Sequence, residues 1–123
     1  MTILIVDDDP EVRGLWKHML DGKIPGLRTA EACDGEAAVR EARQLQPDLI
    51  VMDVAMPKVN GFEATRRLKD DVATSRIPVV VVTGRVFSSM NALAAGCDGY
   101  LLKPLSPDQL IREVERLLAR YAR

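Results

Sequence analysis

Apolar positions in this chain fall in short bursts with two distinct periods. Leu49-Ile50-Val51-Met52 is a continuous apolar run that leads into Asp53, with Pro57 and Gly61 close behind. A run that short, closed by turn formers, reads as a strand buried on both faces. Residues 2–6 form a similar run and lead into Asp7-Asp8-Asp9. Residues 79–83, four valines and Thr83, are the most β-prone stretch and predict a central strand. Residues 100–102 predict another strand. Residues 27–32 predict a weaker one, where Arg28 and Glu31 suggest a sheet edge.

Between these runs the apolar spacing becomes helical. Asp9 and Pro10 open a first helix to about residue 20, with Val12, Leu15, Trp16 and Met19 on its apolar face. His18, with nothing to pair with, reads as a surface residue. Asp34-Gly35 opens a second helix, carrying Ala38, Val39, Ala42 and Leu45 and ended by Pro47. A third begins at Gly61 with Phe62, Thr65 and Leu68 on one face. A fourth, over 87–95, is short and contains Ser88, Ser89 and Asn91, all weak helix formers, before Gly96. Ser106-Pro107-Asp108-Gln109 is a capping box that opens a fifth helix, with Leu110, Val114, Leu117, Leu118 and Tyr121 facing inward.

Five alternations of strand and helix mean a parallel sheet with helices on both faces. The expected fold is a flavodoxin-like, doubly wound α/β domain with five strands in the order 2-1-3-4-5 and five helices. Strands 1 and 3 are then neighbours at the switch point, where such sheets bind ligands. Asp7 and Asp8 would meet Asp53 there, and Thr83 and Lys103 lie on the same rim.

With 123 residues, the chain is expected to form one domain, 1–123, with a core of ordinary size. Its net charge of −1, from 17 basic and 18 acidic residues, offers no general attraction to nucleic acid or anionic lipid. No signal peptide and no membrane-spanning run is visible. Cys33 and Cys97 form neither a zinc spacing nor a CxxC pair, and are expected to be reduced core thiols. These features point to the cytoplasm, without membrane or direct nucleic-acid partners.

Three carboxylates converging at one partly buried point repel one another. A hard divalent cation such as magnesium resolves that, because it takes carboxylate oxygens and keeps places for water and phosphate oxygens. A carboxylate beside such a cation can act as a nucleophile and form an aspartyl phosphate. Lys103 offers a fixed charge and Thr83 a hydroxyl donor to a phosphoryl oxygen. Taken singly, each residue has a plainer reading as a cap, a turn or a solvated charge; their joint placement at strand ends favours a site. Neither a GxxxxGK[ST] loop nor a GxGxxG fingerprint occurs. Phosphatases that use an aspartyl phosphate usually carry a second Asp two residues after the nucleophile. Here that residue is Ala55, so rapid turnover is not expected.

The chain resembles, over its whole length, the receiver domain of bacterial two-component response regulators, of the single-domain, chemotaxis-regulator-like kind. The motifs are Ile5-Val6-Asp7-Asp8-Asp9, Met52-Asp53-Val54-Ala55-Met56-Pro57 with Gly61, Val82-Thr83-Gly84, and Gly99-Tyr100-Leu101-Leu102-Lys103-Pro104. The resemblance implies that Asp53 accepts phosphate from a sensor histidine kinase or histidine phosphotransfer protein. It implies magnesium on Asp8, Asp53 and the backbone carbonyl of Ala55, with Asp7 acting through water. Lys103 is implied to contact the phosphoryl group, beside a cis Lys103–Pro104 peptide. Thr83 and Tyr100 are the implied switch residues, remodelling the face built by helix 4, strand 5 and helix 5 toward a downstream target or a second copy. Gly84 stands where Ala is usual, and the segment from Thr83 to Lys103 is about two residues shorter than the family pattern. On this reading the protein is not an enzyme, beyond assisting its own phosphorylation and slow dephosphorylation. The alternative is a receiver-like interaction module indifferent to phosphate. Phe87, beside Tyr100, is a candidate for an apolar output patch.

Overall fold

The computed structural model describes residues 1–84 and 95–121. Five strands, β1 (Thr2–Val6), β2 (Arg28–Ala32), β3 (Leu49–Asp53), β4 (Val79–Thr83) and β5 (Gly99–Leu102), form one sheet in the order β2-β1-β3-β4-β5. Every pairing is parallel. Among the described residues there are four helices: α1 (Pro10–Leu20), α2 (Gly35–Leu45), α3 (Gly61–Asp70) and α4 (Pro107–Tyr121). The expected count of five is therefore not met among these residues. The helix expected over 87–95, including Phe87, falls almost wholly outside them. Gly96, expected to close that helix, has the left-handed φ of 87° that favours glycine.

The helices begin where the sequence supplies caps. Asp9 accepts from the Glu11 N–H, Asp34 from the Ala37 N–H and Asn60 from the Glu63 N–H. The capping box of α4 is reciprocal: the Gln109 N–H donates to Ser106 Oγ at 3.2 Å, and the Ser106 N–H donates to Gln109 Oε1 at 3.3 Å.

Strand periodicity divides the core in two. Ile3, Ile5, Leu49, Val51, Val80 and Val82 face α1 and α4, where they meet Trp16, Leu20, Leu110, Val114 and Leu117. Leu4, Val6, Ile50, Met52, Val79 and Val81 face α2 and α3, and meet Ala38, Ala42, Ala64 and Leu68. β1, β3 and β4 are therefore covered on both sides, as their unbroken apolar runs require. β2 is an edge strand, and its Arg28 and Glu31 are exposed.

Three expected core positions are not core. Leu15 is 52% exposed, because the buried arc of α1 is centred on Val12, Trp16, Met19 and Leu20, with Leu15 off its flank. Leu45 is 45% exposed: α2 packs through the small residues Ala37, Ala38 and Ala42, and Leu45 is its last residue. Cys33 is exposed just beyond β2. Cys97 is half-buried against the core, and burial pushes its thiol up to about 11, which keeps it protonated and unreactive.

An ion pair joins α3 to the approach to β5. Lys69 Nζ lies 2.9 Å from Asp98 Oδ2 and also donates to the Ile77 carbonyl at 2.8 Å. The same Asp98 oxygen accepts from the Val79 N–H at 2.8 Å. Among the described residues, no helix is long and apolar enough to cross a membrane.

Candidate functional site

The site begins where β1 runs out. Asp7, the next residue, is 2% exposed and held at three points. Its N–H donates to the Ala32 carbonyl at 3.2 Å, its carbonyl accepts from Arg13 Nη1 at 2.7 Å, and its Oδ1 accepts from the Asp9 N–H at 2.8 Å. Asp9 itself turns away to cap α1, as expected. Asp8 is exposed beside the site.

β3 contributes Asp53, 3% exposed, and β3 lies directly beside β1. Carboxylate oxygens of Asp7, Asp8 and Asp53 lie within 4.8 Å of one another. Lys103 follows β5, and its Nζ lies 2.9 Å from Asp53 Oδ1. Its backbone N–H donates to the Thr83 carbonyl at 2.8 Å, which ties it to the end of β4. Thr83 is 5% exposed and sits one residue beyond Val82, the β4 partner of Asp53. The Lys103–Pro104 peptide is cis. Five expected residues, more than ninety positions apart at the extremes, thus share one rim. Of the other expected residues, Ala55 is exposed in the loop after β3, two residues beyond Asp53, and Tyr100 is 38% exposed on edge strand β5.

Gly61 makes room for the loop that carries Asp53. Its N–H donates to the Val54 carbonyl at 3.0 Å, and a Cβ on it would lie 2.5 Å from the Asp53 carbonyl oxygen and 2.9 Å from Val54 Cα. Backbone cannot swing aside as a side-chain tip can. Gly61→Ala is therefore expected to destabilise the fold by about 1–3 kcal/mol, read by chemical denaturation.

Three carboxylates face one ammonium, and the balance is unfavourable. Asp7 shows it: burial, chiefly, and the neighbouring Asp53 charge raise its carboxyl from 3.8 to about 6, against the opposing pull of the Asp9 N–H and Lys103. Its Oδ2 is buried without a hydrogen-bond partner among the described residues. An all-oxygen donor set with an orphaned, buried carboxylate oxygen fits a hard divalent cation. The pH sign follows. The folded chain holds the Asp7 proton more tightly than the unfolded chain, so this group's contribution to metal-free stability is greatest below 3.8 and is lost as pH rises to about 6. Asp7→Asn is expected to stabilise the metal-free fold at neutral pH by roughly 1–2 kcal/mol and to flatten that pH dependence, in denaturation series run between acid and neutral pH.

An open parallel sheet that gathers three carboxylates and a lysine at its switch point defines an α/β domain with an acidic, cation-ready crevice. The family model described as "Response regulator receiver domain" matches residues 3–115. The chain belongs to that family and is a receiver domain of two-component systems, the module that serves there as a phosphorylation-dependent switch. It is similar to the DNA-binding dual master transcriptional regulator RpaA of Synechocystis sp., with 38% identity over 98% of this chain and 50% of that protein. It is also 38% identical to protein PilH of Pseudomonas aeruginosa, over 95% of this chain and 97% of that one. The chain spans about half the length of the first curated relatives it matches. Among solved structures it is similar to the receiver domain of sensor histidine kinase PA1611 from Pseudomonas aeruginosa PAO1, a structure with a magnesium ion coordinated in the active site cleft. Identity is 32%, the TM-score is 0.86, and coverage is 96% of this chain and 97% of that one.

Two residues at the site escaped the sequence reading. Arg13 touches the backbone of Asp7, and Glu31 holds Arg13. Their opposite charges were visible, but eighteen positions separate them. Only the pairing of β2 with β1 brings them together.

Proposed function

We propose that Asp53 is the phospho-acceptor of this receiver, taking the phosphoryl group from a histidine on a sensor kinase or phosphotransfer protein. One observation carries this reading: Asp53 is buried at the switch point, within reach of two further carboxylates and paired with Lys103 at 2.9 Å. An Asp53 carboxylate oxygen attacks phosphorus, the histidine N–P bond breaks, and an acyl phosphate forms. Asp7, Asp8, Asp53 and the Ala55 carbonyl are the residues that would hold magnesium. When bound, that ion neutralises charge on the carboxylates and on the transferring group.

The chain's own groups do the rest. Lys103 holds Asp53 before transfer and gives the new phosphoryl oxygens a fixed cation afterwards. Thr83 offers a hydroxyl to one of those oxygens. Tyr100 then moves inward, and the surface shared by β5 and α4 changes toward a downstream protein or a second copy. The covalent charge biases a two-state element. Ala55 supplies no acid or base, which supports slow dephosphorylation and a signalling role. Incubation with acetyl phosphate and magnesium, followed by intact mass, tests the reading: one phosphoryl adduct on Asp53 is expected, and its absence favours a phosphate-indifferent module.

The two metal-side aspartates are expected to differ. Asp8 would ligate magnesium directly and Asp7 through a water, so Asp8→Ala is expected to weaken magnesium binding more than Asp7→Ala. Calorimetric titration of both variants checks the order; equal affinities contradict it.

A further inference from the structure

Arg13 lies outside the acidic cluster yet controls its backbone. It sits one turn into α1, with its side chain only 16% exposed. Nη1 donates to the Asp7 carbonyl at 2.7 Å, and Nε donates to Glu31 Oε1 at 2.8 Å. Glu31 belongs to β2, opposite Ile5 of β1. The next residue of β2, Ala32, accepts the Asp7 N–H. Edge strand β2 therefore holds both peptide groups of Asp7: the N–H directly, and the carbonyl through Arg13 braced on Glu31.

That carbonyl belongs to the peptide joining Asp7 to Asp8. Rotating this peptide plane moves both side chains at once. A guanidinium is suited to fixing it, because its donors are set in a rigid fork and can engage a carbonyl and a carboxylate together. With the peptide fixed and Oδ1 occupied by the Asp9 N–H, Asp7 Oδ2 is left buried and unpartnered within the cluster.

We propose that Arg13, anchored by Glu31, is a positioning residue for divalent-cation binding: it locks the Asp7–Asp8 peptide so that both carboxylates face Asp53. The inference rests on the reading of this cluster as the magnesium site. It makes a prediction opposite in sign to simple electrostatics. Arg13 is a cation near the place a cation would bind, so by charge alone its removal should tighten magnesium binding. A positioning role requires the reverse, because carboxylates that have lost their orientation bind metal more weakly.

The test is a magnesium titration by calorimetry at fixed ionic strength, with metal-free thermal melting alongside, on the parent protein, Arg13→Met, Arg13→Lys and Glu31→Ala. Arg13→Met keeps the apolar stem and is expected to weaken magnesium binding by about tenfold or more, the range seen when partners of metal ligands are removed. Arg13→Lys restores the charge without the fork and is expected to recover only part of the loss. Glu31 is on an edge strand with its side chain 43% exposed, so Glu31→Ala should fold even if Arg13→Met does not. It is expected to weaken binding several-fold. Arg13→Met or Glu31→Ala binding as tightly as the parent, or more tightly, overturns the proposal, as does full recovery in Arg13→Lys. A lowered melting temperature with unchanged magnesium affinity makes Arg13 merely structural and also overturns it. A parent that binds no magnesium removes the metal-site reading itself, and this inference with it.

Discussion

Asp53→Asn is expected to abolish phosphorylation while leaving the fold in place. The amide has the shape of the carboxylate but not its nucleophilic oxygen. Asp53 closes β3 with 3% exposure, and Asn fills the same buried space without changing its pairing with Val82 of β4. The amide oxygen can still accept from Lys103, now 2.9 Å from Oδ1, and the loss of one negative charge eases the crowding with Asp7 and Asp8. Intact mass after treatment with acetyl phosphate and magnesium is expected to show no adduct, and thermal melting is expected to stay within a few degrees of the parent. Undiminished phosphate on the substituted protein would sink the assignment of the acceptor.

The largest stability effect outside the apolar core is expected at Lys69. Its side chain is 19% exposed, and its ammonium bridges Asp98, whose side chain is 13% exposed, to the Ile77 carbonyl. Lys69→Met keeps the stem and removes the charge. Asp98 then carries a largely buried carboxylate without this partner, and the Ile77 carbonyl loses this donor. Breaking a fully buried pair from one side costs about 3–5 kcal/mol; the residual exposure here lowers the expectation to about 2–3 kcal/mol. Urea denaturation measures it. Because the network ties α3 to the start of β4 and the approach to β5, the loss is expected with little change in the acidic cluster. A change below about 0.5 kcal/mol would mean that solvent already screens the pair.

The strand order was legible because it rests on period and alternation. Short, β-branched apolar runs closed by turn formers read as strands covered on both faces, and helices between them imply parallel pairing. That order alone carried Asp7 and Asp8 to Asp53, and Lys103 to the same rim. Leu15 and Leu45 were misplaced for a physical reason: a stripe of apolar residues gives the direction of a buried face but not its width, and a helix packed through alanines leaves its flanking leucines outside. Arg13, Glu31, Lys69 and Asp98 were illegible for another reason. A long charged side chain declares its partner only when the backbone is in place, because the sequence offers each of them many opposite charges.

The crowding at Gly61 has a consequence for how this domain tolerates change. A side chain at position 61 would collide with the main chain of the very residue proposed to carry phosphate. In a saturation screen scored on signalling output, positions 53 and 61 would both fail for nearly every replacement. One fails because a reacting atom is gone, the other because the space for its carrier is filled. Intolerance in such a screen therefore does not mark chemistry. The two positions separate only when the amount of folded protein is scored beside the output, with Asp53→Asn abundant and silent and substitutions of Gly61 scarce.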